Sequence, residues 1–282
     1  MVNKKEIKSL DLSSLTTIGM GIYTVLSIIA VLILVVYILI VGGANVLVAN
    51  ISLVPFIIFG TILYSIIFFF GRGFLYNVLT KKLSCIGFEI EDGRIVKIDT
   101  VSTALVFAII ATIAFIFVYV MSVVIVPFMA SAILQMLMLT GQIGLAMLMY
   151  NLIALLFSPA VTLILIVSTF LLTFVDVLIG VSIYNILTSY LGGIKVELKS
   201  GREYTSVESV DAKSAAIIMS VIALVVGVVM SLLLLVINQK LAISALYNIV
   251  SSFIGGFIGT FIIVFVYNKI SNSLGKLKLE LE

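Results

Sequence analysis

The sequence predicts an all-α membrane protein with six transmembrane helices. They form three β-α-α-β repeats around a pseudo-threefold axis, with a small cytoplasmic β collar. Three observations predict this fold class: the chain is 63% hydrophobic and only 10% charged, its apolar runs are long, and one motif occurs three times. A soluble domain carries about 25% charged residues, and a membrane span needs roughly 20 apolar residues. We therefore expect a multi-pass protein of the cell membrane, in contact with the lipid bilayer.

The repeated motif is a Tyr-Asn pair near the end of an apolar run, followed by a Leu seven residues after the Tyr and a Glu thirteen residues after it. An Asp-x-x-Ser motif precedes each apolar block. The residues are Tyr76, Asn77, Tyr184, Asn185, Tyr267 and Asn268 for the pair, and Asp11, Ser14, Asp99, Ser102, Asp211 and Ser214 for the second motif. Internal repeats indicate tandem copies of one structural unit. We assign the units to 1–92, 93–200 and 201–282.

The apolar runs predict the spans, and the basic residues predict their orientation. The expected spans are 14–42, 52–82, 101–127, 159–190, 213–238 and 243–276. The first run is too long for a cleaved signal peptide and lacks a clear cleavage site, so we expect it to be retained. Every Lys and Arg except Lys240 lies in one of four clusters, which are Lys4–Lys8, Arg72–Lys97, Lys195–Lys213 and Lys269–Lys278. The positive-inside rule then places both termini, 83–100 and 191–213 in the cytoplasm.

The apolar stretch 129–157, an outer insertion of the middle repeat, is long enough to be a seventh span. A seventh crossing would move Lys195, Lys199, Arg202 and Lys213 outside, against the charge rule. We expect instead a re-entrant or interfacial helical hairpin that turns near Thr140-Gly141-Gln142.

Short alternating segments on either side of each helix pair predict six cytoplasmic strands. The strands that enter a repeat are Glu6–Leu10, Arg94–Ile98 and Tyr204–Val210, and those that leave it are Gly87–Glu91, Lys195–Lys199 and Lys278–Glu282. Asp92-Gly93 is a strong hairpin signal, and Ser200-Gly201 falls at the same offset in the next repeat. Closing the strands into a collar leaves fewer exposed edges than a linear row, which is the alternative.

The repeated polar residues have structural interpretations. Each Asp of the Asp-x-x-Ser motif stands where a strand becomes a helix, so it predicts an N-cap. The alternative is a metal or proton site formed by the three aspartates around an axis. The Tyr-Asn pairs predict interfacial anchoring and hydrogen bonds between helices. Leu191-Gly192 and Leu274-Gly275 predict helix C-caps, weakened at Ser84 in the first repeat. Gly255 and Gly259 predict a close approach of two helices.

Asp176 is the most unusual residue, because no other charge lies between Asp99 and Lys195. It precedes Tyr184 by eight residues, which places it about 12 Å deeper in the membrane. A carboxylate there is a functional-site hypothesis by default. Pairing with Arg72, one turn deeper than Tyr76, is the structural interpretation, and an ion or proton pathway is the alternative.

The composition weighs against catalysis. The chain has no histidine, one cysteine, and no Walker, His-Glu-x-x-His or Gly-x-Ser-x-Gly motif. We therefore expect no enzyme, no cofactor, no metal and no nucleic-acid partner.

The unit ends resemble a family of small actinobacterial membrane proteins known only as a transmembrane domain of unknown function. The resemblance rests on the Asp-x-x-Ser motif and on Tyr184-Asn185 followed by Leu191-Gly192-Gly193-Ile194-Lys195-Val196-Glu197-Leu198. The third unit matches partly, with Lys276 for the second Gly, and the first departs most, with Ser84-Cys85. The resemblance implies a two-span module, here fused in tandem, and it implies no activity.

These expectations favour a membrane scaffold or assembly subunit that docks a protein partner through its cytoplasmic strands. The alternative is an ion channel or an ion-coupled transporter that uses Asp176. Polar residues are scarce in the spans, whereas a pathway needs lining groups.

Overall fold

The computed structural model describes residues 2–237 and 242–282, and Lys240 and the end of the span predicted at 213–238 lie outside these ranges. The described part forms six strands and seven helices. The strands are β1 (Asn3–Leu10), β2 (Ile86–Glu91), β3 (Arg94–Ile98), β4 (Ile194–Ser200), β5 (Thr205–Val210) and β6 (Leu277–Leu281). The helices are α1 (Leu12–Asn50), α2 (Leu53–Thr80), α3 (Thr100–Leu139), α4 (Ile143–Leu156), α5 (Pro159–Leu191), α6 (Ala212–Ile237) and α7 (Ala242–Leu274).

Six helices of the described part are long and apolar enough to cross a membrane, and they are all except α4. This confirms a multi-pass membrane fold with short strand pairs between long apolar helices. The helix α4 has 14 residues. At 1.5 Å per residue it reaches about 21 Å, which is less than the roughly 30 Å hydrocarbon core of a bilayer.

The helical hairpin predicted at 129–157 turns where the sequence indicates, with Gly141 at φ 75° between α3 and α4. The third predicted span, 101–127, lies within a longer helix, because α3 runs through Pro127 to Leu139. Proline is tolerated in apolar membrane helices, where local adjustments satisfy the freed backbone groups. No charged residue in this stretch marks a helix end.

The chain divides into two compact units. One comprises Met1–Thr103 and Gly180–Glu282, and the other comprises Ala104–Ile179. In the first unit α1 packs along α2, α6 packs along α7, and α1 also contacts α7. In the second unit, Tyr119 of α3 forms a hydrogen bond with Thr162 of α5.

The six strands form a closed antiparallel barrel in the order β1-β2-β3-β4-β5-β6. Within each predicted repeat the entering strand pairs with the leaving strand at equivalent positions: Ile7 faces Ile86, Ile95 faces Ile194, and Val207 faces Leu277. Between repeats β2 pairs with β3, β4 with β5, and β6 with β1. The linear row of strands is therefore wrong. Closure removes the exposed edges that a row would leave.

The two hairpin connections of the barrel differ. Asp92 and Gly93 have φ values of 47° and 72°, as the predicted primed turn requires. The second connection has the predicted length of four residues but lies one residue later in the chain. β4 continues to Ser200, β5 begins at Thr205, and the Gly201 N–H donates to the Tyr204 carbonyl at 2.9 Å.

The barrel carries an apolar cluster at its junction with the helices. Val207 packs there with Ile18 of α1 and Tyr267 of α7, and the partly buried neighbours are Ile22, Leu198, Val210, Leu277 and Leu279. Barrels of about eight strands have interiors just wide enough for side chains to fill, so a six-stranded barrel is narrower still. We interpret the barrel as a packed element rather than a tube.

Candidate functional site at the barrel junctions

The Asp of each Asp-x-x-Ser motif lies between a barrel strand and a helix. The Ser14 N–H donates to the Asp11 carboxylate at 2.7 Å, and the Ser214 N–H donates to the Asp211 carboxylate at 2.8 Å. Both aspartates therefore satisfy a backbone donor of the first helical turn, as an N-cap does. In the middle repeat the Ser102 hydroxyl donates to the Asp99 carboxylate at 2.8 Å.

These aspartates also join neighbouring repeats through the backbone. The Asp11 N–H donates to the Lys278 carbonyl, the Asp99 N–H to the Gly87 carbonyl, and the Asp211 N–H to the Lys195 carbonyl. The N–H···O distances are 3.1, 2.8 and 2.9 Å. Each acceptor lies eleven residues after the Tyr of its own repeat. The strand–helix junctions are therefore equivalent around the barrel.

The Tyr hydroxyls connect the helices to the entering strands. The Tyr76 hydroxyl donates to the Ile7 carbonyl at 2.7 Å, and the Tyr184 hydroxyl donates to the Ile95 carbonyl at 2.5 Å. The Tyr267 hydroxyl donates likewise to the Val207 carbonyl. In every repeat the acceptor belongs to the entering strand. It is the residue that pairs with the first residue of the leaving strand, at the end of the two strands nearest the helices.

The Asn next to each Tyr pairs with the strand backbone through both halves of its amide. Asn77 accepts from the Leu10 N–H and donates to the Leu10 carbonyl, both at 2.8 Å. Asn185 does the same at Ile98, and Asn268 at Val210. We call the Tyr and Asn of each repeat the latch, because together they connect the end of one helix to the strand that precedes the helix pair.

A third contact to the entering strand accompanies the latch in each repeat, and its donor differs in the last repeat. The Thr80 hydroxyl donates to the Lys8 carbonyl at 2.9 Å, and the Thr188 hydroxyl donates to the Val96 carbonyl at 2.6 Å. The equivalent carbonyl in the third repeat, that of Glu208, accepts from the Lys276 ammonium at 3.0 Å. Lys276 stands where the other matching repeat has its second Gly, so this departure from the motif carries a contact of its own.

The interpretation of these tyrosines as interfacial anchors is wrong. Tyr76, Tyr184 and Tyr267 are only 5%, 4% and 7% exposed, so their rings are packed inside the protein. Their partners are strand carbonyls rather than groups on a second helix. The sequence signal available was the spacing Tyr-Asn-x-x-Thr, with Ser271 in place of Thr in the third repeat, which places the three polar groups on one side of a helix end.

The predicted C-cap glycines adopt the left-handed conformation that ends a helix. Gly192 has φ 79° and Gly275 has φ 97°. The first repeat has Ser84 at this position, and α2 ends earlier, at Thr80, which aligns with Thr188 inside α5. The helix in the repeat that lacks the cap glycine therefore ends about one turn earlier than its two equivalents, in keeping with the weaker cap predicted there.

Two equivalent clefts open beside the strand–helix junctions. One, of about 420 Å³, is lined by Asp11, Asn77, Lys81, Tyr204 and Glu280. The other, of about 300 Å³, is lined by Lys4, Glu89, Lys97, Asp99 and Asn185. Their carboxylates are already partnered: Glu280 accepts from the Ser9 hydroxyl, and Glu89 forms an ion pair with Lys97. We interpret both clefts as surface grooves between repeats.

The close approach predicted at Gly255 and Gly259 is wrong. A Cβ built on either glycine would have nothing within 4 Å. The neighbouring Gly256 makes the approach instead, because a Cβ there would lie 2.8 Å from the Ala223 Cβ and 3.2 Å from the Ser220 Cα. The spacing indicated the correct helix but not its contact face.

Asp176 and Arg72 are both exposed on the chain. The Arg72 Cζ lies 3.7 Å from the centroid of the Phe68 ring, which is a cation–π contact. Asp176 belongs to the unit Ala104–Ile179, and Arg72 belongs to the other unit. Their predicted pairing stays a prediction.

The junctions offer hydrogen bonds rather than reactive groups. Within residues 2–237 and 242–282, no three His, Cys, Asp or Glu side chains are grouped so that they could hold a metal ion. The described aspartates and tyrosines of the repeated motifs form hydrogen bonds with their neighbours, mostly with backbone groups, and their arrangement stabilises the attachment of helices to strands.

A scan of protein-family models, a search of curated proteins and a search of solved structures each return no match. The function is therefore inferred from the protein's own residues.

Proposed function

We propose that the protein is an integral membrane scaffold or assembly subunit that docks a protein partner through its β barrel. The observation that carries this proposal is the closed barrel itself, attached to the helices by a latch in each repeat. A rigid attachment suits a platform that must hold its orientation to the membrane.

The surface proposed for docking is the barrel rim, which we define as residues 91–93 and 199–204, at the two hairpin connections. By topology these turns lie at the opposite end of the barrel from the strand–helix junctions. Glu91, Asp92, Lys199, Arg202 and Glu203 are all exposed there. Charges of both signs provide specificity for a partner of complementary pattern more than raw affinity.

The orientation proposed is cytoplasmic for both termini and the barrel. All Lys and Arg residues except Arg72 and Lys240 belong to the barrel or lie near the helix ends beside it, and such residues mark the cytoplasmic side. The docked partner is then a cytoplasmic protein or the cytoplasmic part of another membrane protein.

Site-specific photo-crosslinking tests the scaffold proposal. A photoreactive residue at Arg202 or Glu91 is expected to give one discrete protein adduct in intact membranes. The matched control is the same residue at Leu63, which is 62% exposed on the apolar face of α2 and is expected to give no protein adduct. The absence of an adduct from every rim position would contradict docking through the barrel.

The second candidate function is an ion or proton conduit, favoured by the single carboxylate at Asp176 within α5. Purified protein in proteoliposomes is expected to give no ion or proton flux if the scaffold proposal is right. Flux in the wild type that disappears in Asp176→Asn would replace the scaffold with a conduit. A monodisperse elution profile for both proteins excludes misfolding as the cause.

A further inference from the structure

We infer that two copies of this chain associate within the membrane through an ion pair between Asp176 of one copy and Arg72 of the other. The inference concerns self-association of the spans. It rests on the membrane placement of α2 and α5, and it is independent of what the barrel docks.

Asp176 lies on a face of α5 that is open to the surroundings. It is exposed, and Leu172 and Val175 beside it are 69% and 49% exposed. In a bilayer this face meets either lipid tails or another protein. Lipid tails cannot solvate a carboxylate, so a protein partner that brings a cation is the favourable neighbour.

Arg72 is exposed on α2, and it is the complementary charge that the chain itself offers. Its guanidinium stands over the Phe68 ring, one helical turn toward the N-terminal end of α2. Side chains of a helix lean toward its N-terminus, so this direction is the ordinary one. The ring contacts one face of the guanidinium, while the in-plane N–H groups suit a carboxylate.

Asp176 and the Arg72 guanidinium stand at matching distances, along their helices, from the Tyr of their own repeat. Phe68, under the guanidinium, precedes Tyr76 by eight residues, and Asp176 precedes Tyr184 by eight residues. Both tyrosines donate to equivalent strand carbonyls, so both charges lie about 12 Å along a helix from equivalent anchor points. Opposite charges therefore stand at the same helical distance from equivalent anchor points, one on α2 and one on α5. Each copy carries one of each charge, so the chain itself supplies both members of the ion pair.

Disulfide crosslinking between differently tagged copies tests the inference. One copy carries Asp176→Cys and the other carries Arg72→Cys, both on a Cys85→Ser background. The expected result is an oxidised product that contains both tags. The matched control pair is Leu171→Cys with Phe70→Cys; these exposed residues lie on other faces of the same helices, and the pair is expected to give at least tenfold less product.

A single chain with both Asp176→Cys and Arg72→Cys supplies the competing outcome. A disulfide that forms only within that chain, with no product joining the two tags, would overturn the inference and assign the pair to one copy. The absence of any disulfide in either format would overturn it as well.

Charge exchange gives a second measurement that does not depend on cysteine. Asp176→Arg and Arg72→Asp singly are expected to reduce co-purification of two tagged copies at least tenfold, and the double exchange is expected to restore it. Where a reversed charge prevents insertion, Asp176→Asn is the neutral substitute. Unchanged co-purification in all of these variants would contradict the inference, whereas loss of the photo-crosslinked partner at the rim would not affect it.

Discussion

At the scale of single residues, the latch shows how polar side chains are used at a membrane boundary. A helix that ends against a strand leaves carbonyls and N–H groups without partners, and burying them without hydrogen bonds is unfavourable. The Asn amide carries a donor and an acceptor in one plane, so Asn77 satisfies both backbone groups of Leu10 at once. The neighbouring Tyr76 hydroxyl satisfies Ile7. The same solution recurs in all three repeats.

The latch predicts a specific loss of stability on removing one hydroxyl. Tyr184→Phe keeps the buried ring but leaves the Ile95 carbonyl without this donor, so we expect destabilisation by about 1–2 kcal/mol. Thermal unfolding in detergent, followed by circular dichroism, measures the effect. Tyr190→Phe is the control, because Tyr190 is 82% exposed on the same helix and is expected to change nothing. Equal effects of the two substitutions would show that the latch hydroxyl contributes no stability.

The cap at Asp211 predicts a dependence of stability on pH. The hydrogen bond from the Ser214 N–H holds the pKa of the Asp211 carboxyl below its ordinary value of 3.8. The folded protein then binds a proton less readily than the unfolded chain. The stabilisation is therefore complete above pH 3.8 and is lost as the pH falls through the lower folded pKa.

The measurement for this cap is the difference in melting temperature between wild type and Asp211→Asn across acidic pH. Asn keeps a cap acceptor but does not titrate. We expect the wild-type advantage to shrink as the pH falls below about 4. A difference that stays constant down to pH 2 would contradict the assigned role of the carboxylate.

At the scale of elements, the sequence predicted the strands closely because their ends are chemically marked. Asp92-Gly93, the capping aspartates and the cap glycines fix where strands begin and helices stop. The helix ends far from the barrel lack such marks. Pro127 is the one signal near the end of the third span, and α3 passes through it to Leu139. Uniform apolar sequence reports that a segment lies in the membrane but not where its helix stops.

The contacts of the latch could not be predicted from the sequence either, and the reason differs from the one that applies to the helix ends. Sequence shows that Tyr184 and Asn185 lie near a helix end, but the strand that they contact precedes them by almost ninety residues. Which backbone groups face the helix depends on barrel closure, because register decides that Ile95 faces Ile194 where the Tyr184 hydroxyl arrives. The choice of Gly256 over Gly255 is likewise a matter of helix rotation, which small-residue spacing alone leaves open.

The packing of α6 against α7 predicts a sharp contrast between adjacent glycines. Gly256→Ala would place a Cβ 3.2 Å from the Ser220 Cα and 3.3 Å from the Met219 carbonyl, so the two helices must separate. We expect destabilisation by about 1–3 kcal/mol. Gly255→Ala meets nothing within 4 Å and is expected to be neutral or slightly stabilising, since Ala favours the helix. Melting temperatures in detergent compare the two, and similar losses would contradict the assigned packing face.

At the scale of the whole molecule, the charge distribution predicts one orientation. Cys85, between α2 and β2, and a cysteine introduced by Ser200→Cys are expected to resist a membrane-impermeant maleimide in intact cells and to react after permeabilisation. A cysteine introduced by Thr140→Cys, at the turn between α3 and α4, is expected to react without permeabilisation. The two introduced cysteines are tested on a Cys85→Ser background.

A seventh crossing has a distinct signature in the same experiment. It would protect Cys85 but expose the cysteine at position 200, because an odd number of spans would separate the two. Labelling at both positions in intact cells would instead invert the proposed orientation of the barrel.

The strand order of the barrel also determines when the barrel can close during biosynthesis. A ribosome makes β1 first, but the strand that seals its other side, β6, is translated after α6 and α7. Until then β1 has one free edge, and the nascent chain carries a ladder of unpaired amide groups beside the membrane. Synthesis at roughly 5–20 residues per second keeps that edge open for tens of seconds. Chaperone binding to the free edge and misassembly between nascent copies would both occur in this interval, before β6 pairs with β1.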